Sequence, residues 1–259
     1  VNYIHDMRRL MLTLEYDGTA FLGWQVQAEG RTVQGVLEDA IRRTTGEELR
    51  VTGASRTDSG VHAEGQVAHF DTESDLGAER FVPALNYWLP ADAAVLDSRQ
   101  APAGFDARYA ASAKLYRYRI LRSAARRPLR ERFTLREWRN LDVGAMRQCA
   151  AMLVGEHDFT SFASEHTETE SNVRHVMRSE CAEAGDELHY LVEGNGFLYN
   201  MVRIIVGTLL EVGRGKVAAG EFARALEACR RDAAGPTAPA RGLALVRVTY
   251  PDDPRSSGY

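Results

Sequence analysis

Apolar and polar residues alternate from position 10 to 16 as in a half-buried strand, and Asp17-Gly18 closes that run with a turn signal. From Thr32 onward the period changes. Val33, Val36, Leu37, Ala40, Ile41 and Thr44 recur at helical spacing, with Thr32 placed to cap the start and Gly46 to stop the end. A short strand is predicted at 49–52, a polar loop at 53–62 and a second alternating strand at 65–71. Residues 81–89 read as a helix stopped by Pro90, and the Pro/Ala/Gly-rich stretch 102–104 is the first plausible boundary. Residues 115–121 predict a strand with Tyr116, Tyr118 and Ile120 on one face and Arg117 and Arg119 on the other. The Arg-rich run 122–139 contains Pro128 and reads as a connector. It is followed by a helix at 143–153 ended by Gly155, strands at 174–180 and 187–193, helices at 201–212 and 221–229, and a closing strand at 243–250.

This mixed order favours an α+β fold over a doubly wound sheet, which requires strict strand–helix alternation. Two related lobes are expected, 1–104 carrying the polar loop at 53–63 and 105–259, with no short repeat and no low-complexity tail. A chain of 259 residues, 44% apolar and 26% charged, can bury a sizeable core and is too apolar for a disordered protein. Cys149, Cys181 and Cys229 are odd in number, widely spaced and outside any CxxC pairing, which argues against a disulfide framework or a zinc site and for a reducing cytoplasm. No apolar run approaches a membrane span, and no signal pattern opens the sequence; Met7 is read as the effective start, so residues 1–6 are given little weight.

The net charge of −4 gives no hint of nucleic acid, but its distribution does. Between Lys114 and Arg147 eleven basic residues face only Glu131, Glu137 and Asp142. Such a block is either an electrostatic footprint for phosphate or a solvated Arg-rich connector. Since 30 of the 32 basic residues are Arg, only the clustering is informative.

The loop 53–63 reads Gly-Ala-Ser-Arg-Thr-Asp-Ser-Gly-Val-His-Ala, small and polar residues with glycines for a tight path and Asp58 at its tip. Arg56 is close enough in sequence to pair with Asp58. The commoner role for a loop aspartate is to cap backbone amides. Arg203 stands among apolar residues in Met201-Val202-Arg203-Ile204-Ile205-Val206-Gly207. A guanidinium there must snorkel to water or find an anion, either as a structural ion pair or to hold a carboxylate such as Asp58 ionised and aimed. Tyr116 and Tyr118 alternate with Lys114, Arg117 and Arg119, which suits base stacking plus phosphate contact and equally suits plain core.

Together these segments resemble the tRNA pseudouridine synthase A family, from about residue 12 to 251. The segments that carry the resemblance are Glu15-Tyr16-Asp17-Gly18 with Gly23-Trp24-Gln25, Arg56-Thr57-Asp58-Ser59-Gly60-Val61-His62-Ala63, and Phe105-Asp106-Ala107-Arg108. Lys114-Leu115-Tyr116-Arg117-Tyr118, 155–162, Met201-Val202-Arg203 with Gly207, Gly242-Leu243 and 248–251 follow in order. Two departures stand out: Ser55 where the family usually has Gly, and an acidic insert at 165–171.

The resemblance implies a pseudouridine synthase fold, two similar lobes whose antiparallel-rich sheets join, with a basic cleft between them. It implies isomerisation of uridine to pseudouridine at positions 38, 39 and 40 of the tRNA anticodon stem-loop by a cytoplasmic homodimer. Asp58 takes the place of the catalytic aspartate, acting on C1′ as a nucleophile or on a sugar proton in a glycal-type route. Arg203 takes the place of its arginine partner, Tyr116 packs on the flipped base, and Arg56 fills the space that base leaves. No cofactor or metal is expected: His62, His69, His157, His166, His175 and His189 lack ligand spacing, and Glu165, Glu168 and Glu170 read as a solvated loop. Gly194-Asn195-Gly196 reads as a hairpin turn. Two other readings stay in view. One is an RNA chaperone without chemistry; the other is a nucleoside hydrolase, which needs a second carboxylate or a cation where only Glu64 and Asp71, both read as surface positions, are near in sequence.

Overall fold

A computed structural model describes residues 7–164 and 169–251; residues 1–6, and Glu165, His166 and Glu168 of the acidic insert, lie outside the described residues. The chain divides into two compact units, one running to residue 112 and resuming at 245, the other comprising 113–244. The first unit thus takes back the closing strand, a non-local pairing that the composition around 102–104 does not register. In chain order the elements to residue 112 are β1 (Arg8–Tyr16), α1 (Val33–Thr45), β2 (Thr52–Gly53), β3 (His62–Thr72), α2 (Phe81–Trp88) and β4 (Ala93–Gln100). There follow β5 (Ala113–Arg122), β6 (Leu135–Glu137), α3 (Val143–Ala151), β7 (Gly155–Asp158), β8 (Val173–Ala184), β9 (Glu187–Gly194), α4 (Met201–Gly213), α5 (Ala219–Glu227) and β10 (Leu243–Thr249). The fold is α+β, with antiparallel-rich sheets flanked by helices.

In the first unit β4, β1 and β3 are antiparallel neighbours, β10 lies on the other edge of β3, and β2 pairs with β3. Leu10, Leu12 and Leu14 of β1 and Phe70 of β3 are buried on the inner face with Leu37 and Ile41 of α1 and Phe81 and Leu85 of α2. The cap expected for α1 is present: Thr32 Oγ1 accepts from the Gly35 amide at 3.2 Å, and Gly46 ends the helix. Residues 93–100 carry little alternation, since only Ala93, Val95 and Ser98 are buried there. They become β4 because β1 supplies a ladder from Leu10↔Gln100 to Tyr16↔Ala93 and the Asn86 carboxamide clamps the Val95 backbone with two 2.8 Å bonds. The Phe105 segment is pinned the same way, Tyr250 Oη donating to Ala107 O at 2.7 Å and the Ala107 amide donating to His69 Nδ1 at 3.0 Å.

In the second unit β5, β9, β8 and β7 form an antiparallel run, with β6 parallel beside β5. Tyr118 and Tyr190 are register partners and both fully buried, so the alternation read at 115–121 does place aromatic residues in the core. The hairpin turn lies at Gly185-Asp186, between β8 and β9. Gly194-Asn195-Gly196 is not a hairpin. It opens the connection from β9 to α4, where the Asn195 carboxamide and amide bond the His175 backbone at 3.0 and 3.1 Å. Helix α4 buries every residue except Arg203 and Glu211. A Cβ at Gly207 would lie 1.7 Å from Pro236 O, so only glycine lets the loop at 235–239 approach this helix so closely.

Candidate active site

Asp58 sits in the polar loop between β2 and β3, half-buried, and its carbonyl accepts from the Val61 amide at 3.1 Å to close a turn. The loop's geometry is held by residues far from it in sequence. Thr57 is buried; its carbonyl accepts from the Trp24 amide at 3.0 Å and its Oγ1 lies 2.7 Å from Tyr16 Oη. Gly23 has φ +101°, and a Cβ there would stand 2.6 Å from Thr57 O. At the loop's entry the fully buried Gln66 side chain takes both backbone groups of Ser55, accepting from its amide at 3.2 Å and donating to its carbonyl at 2.6 Å. The Gly18 amide donates to His62 Nδ1 at 3.0 Å at the exit. Arg56, two residues before Asp58 on the same loop, is exposed.

The second unit holds the other two candidates. Tyr116 lies on β5 with 6% of its surface exposed and meets Phe197 edge-on, ring centroids 5.0 Å apart. Tyr118, two positions on, is committed elsewhere: its hydroxyl donates to Pro239 O at 2.7 Å, and burial pushes its phenol up against the opposing pull of Arg241 and Arg203. Arg203, half-buried on the first turn of α4, donates from Nε to Ala238 O at 2.8 Å and from Nη1 to Asn200 Oδ1 at 2.6 Å, while its own carbonyl accepts from the Ala238 amide at 3.0 Å. Two neutral oxygens therefore set the plane of the guanidinium within this unit.

Arg56 and Asp58 thus share one loop of the first unit, and Tyr116 and Arg203 belong to the second. Of the residues that brace them, Tyr16 and Trp24 lie in segments that carry the family resemblance, whereas Gln66, Asn200 and Ala238 were not singled out in the sequence. Gln66 is the readable one of these three, a polar residue in register with the buried positions of an alternating strand.

The basic stretch behaves differently in space than along the chain. Arg119 and Arg130 both bond Glu187, Arg130 and Arg127 face Asp186, Arg122 and Arg147 share Glu183, and Arg126 pairs with Glu131. Three of those acids lie at the β8–β9 hairpin, outside the segment whose charge was counted. These three acids lower the local excess from +8 to +5, so part of the basic stretch is neutralised at the hairpin and a net positive charge is left.

Burial pushes the Glu187 carboxyl up, but hydrogen bonds from Arg119, Arg130 and His189 outweigh it and hold it at about 2. Of the two acids near in sequence that could supply a hydrolase's second carboxylate, Asp71 is bound by Arg9 at 2.7 Å, a hydrogen bond that keeps its carboxyl below the usual range, and Glu64 is exposed. Cys149, Cys181 and Cys229 are free thiols, and no group of three or more His, Cys, Asp or Glu among the described residues could hold a metal ion. No helix among them is long and apolar enough to cross a membrane.

The family model described as tRNA pseudouridine synthase matches residues 13–110 and 149–251, well over half of the sequence. The chain belongs to the tRNA pseudouridine synthase family. It is 50% identical over 238 residues to the tRNA pseudouridine synthase A of Halalkalibacterium halodurans, covering 92% of this chain and 90% of that protein. To the protein of the same name from Brevibacillus brevis it is 48% identical over 244 residues, covering 94% of this chain and all of that one. A Myxococcus xanthus relative of that name is 45% identical over 250 residues, with 96% and 94% covered. Arg56, Asp58 and Arg203 lie within the family match, whereas Tyr116 and the whole basic stretch from Lys114 to Arg147 fall in the unmatched gap at 111–148.

Proposed function

We propose that this chain isomerises uridine to pseudouridine in the tRNA anticodon stem-loop, at positions 38, 39 and 40, with Asp58 as the catalytic carboxylate. The reaction breaks the N1–C1′ bond, turns the uracil, joins C5 to C1′, and moves the C5 proton to solvent while N1 gains one. It consumes no water and has no net redox change. Asp58 attacks C1′ or takes a sugar proton, Arg203 keeps that carboxylate ionised and aimed, Tyr116 packs on the flipped uracil and Arg56 occupies the space it leaves. Three adjacent target positions suit recognition through helix shape and backbone rather than base edges. The observation that carries this reading is the braced turn presenting Asp58, whose every brace lies inside the segment matched by the family. A cytoplasmic homodimer is part of the same proposal and is supported by the family resemblance alone.

The test is anticodon stem-loop RNA tritiated at uracil C5, incubated with the enzyme and with Asp58→Asn. The wild-type chain should release tritium to water without free uracil, and the variant should bind the RNA with activity reduced at least about 1,000-fold. Free uracil would point to hydrolysis instead. Intact binding without release by the wild type would point to a chaperone.

A further inference from the structure

Asn200 precedes the first turn of α4 with φ 60° and ψ 5°, in the left-handed region. Cys229 is the one other non-glycine residue with positive φ among the described residues. Asparagine adopts this conformation more readily than most residues, yet strain of this kind persists where surrounding structure enforces it, and it concentrates at functional sites. An asparagine at this position ordinarily turns its side-chain oxygen onto the amides of the helix it caps. Asn200 makes no such bond. Its Oδ1 accepts from Arg203 Nη1 at 2.6 Å and its Nδ2 donates to Ser164 Oγ at 2.8 Å, while the Ser164 amide donates to Tyr199 O at 3.1 Å. The helix has therefore forgone a capping bond, and the carboxamide serves the guanidinium one turn away.

We propose that Asn200 is a positioning residue for Arg203. With Ala238 O fixing Nε, the Asn200 oxygen fixes Nη1, and the two points define the plane in which the guanidinium meets its carboxylate. This rests on the pairing of Arg203 with Asp58 put forward above.

Asn200→Gly keeps the left-handed backbone and removes the carboxamide; Asn200→Asp keeps an acceptor at the same place. On the stem-loop substrate, Asn200→Gly should lower kcat about tenfold with KM little changed, and Asn200→Asp should restore most of that loss. The acid limb of the kcat/KM profile should move to higher pH in Asn200→Gly, because a poorly aimed cation stabilises the ionised carboxylate less. Ser164→Ala, which loosens Asn200 without touching it, should show the same kcat defect in milder form, and melting curves establish that each variant is folded. Wild-type kcat and pH profile in Asn200→Gly, or a defect confined to KM, overturns the proposal. Arg203→Met separates the two levels: full activity there sinks the Arg203–Asp58 reading, whereas an inactive Arg203→Met beside a wild-type Asn200→Gly sinks only the role of Asn200.

Discussion

The loop that carries Asp58 and the helix that carries Arg203 solve the same problem in opposite ways. Residues 54–61 have no regular structure of their own, so their path is borrowed: Trp24 and Tyr16 hold Thr57, Gln66 holds Ser55, and Gly23 leaves room for the close approach. Helix α4 satisfies its own backbone, and only the guanidinium needs direction, which two oxygens supply. A side chain on a loop depends on scaffolding from several elements, each brace a point of failure. A group on a helix depends on fewer partners, but the helix must be packed without error.

The largest expected effect follows from that last condition. Gly207→Ala would drive a methyl into Pro236 O, where no side chain can yield, and should cost about 3 kcal/mol or more, lowering Tm by roughly 6 °C or more in calorimetry. A Tm within a degree of wild type would show that the 235–239 loop shifts freely and that α4 is less tightly set than the contrast requires. Next comes the loop. Gln66→Leu leaves the Ser55 amide and carbonyl without their buried partner, at a cost of about 2 kcal/mol in stability, and should reduce kcat about tenfold as the turn loosens. Loss of stability with unchanged kcat would mean the loop keeps its geometry without this brace.

The smallest effect serves as the control, away from both regions. Glu187 has its carboxyl held at about 2, below its ordinary value, so its stabilising contribution is complete above the usual carboxylate range and drains away as the pH falls toward 2. Glu187→Gln should lower Tm at pH 7 by about 2–6 °C and flatten the acid side of the stability profile. Its kcat/KM should stay within about twofold of wild type, since the hairpin network touches neither candidate half. A large catalytic defect would mean that this network reaches the site.

Strands and helices with strong periodicity were legible in the sequence. The helix from Thr32 to Gly46 and the buried face of 115–121 are set by local patterns of side chains, which any stretch of chain carries with it. The candidate residues were singled out on equally local grounds: a carboxylate in a glycine-bearing loop and a cation in an apolar helix are anomalies on their own terms, whatever surrounds them. The strand at 93–100, the return of 245–251 to the first unit, and the pairing of part of the Arg-rich stretch with the β8–β9 hairpin could not be read that way. Each depends on partners far along the chain, and hydrogen-bond pairing and charge neutralisation act through space rather than along the sequence. The same holds for Asn200, an unremarked polar residue before a helix until folding gives its backbone a left-handed turn and its oxygen a guanidinium to hold.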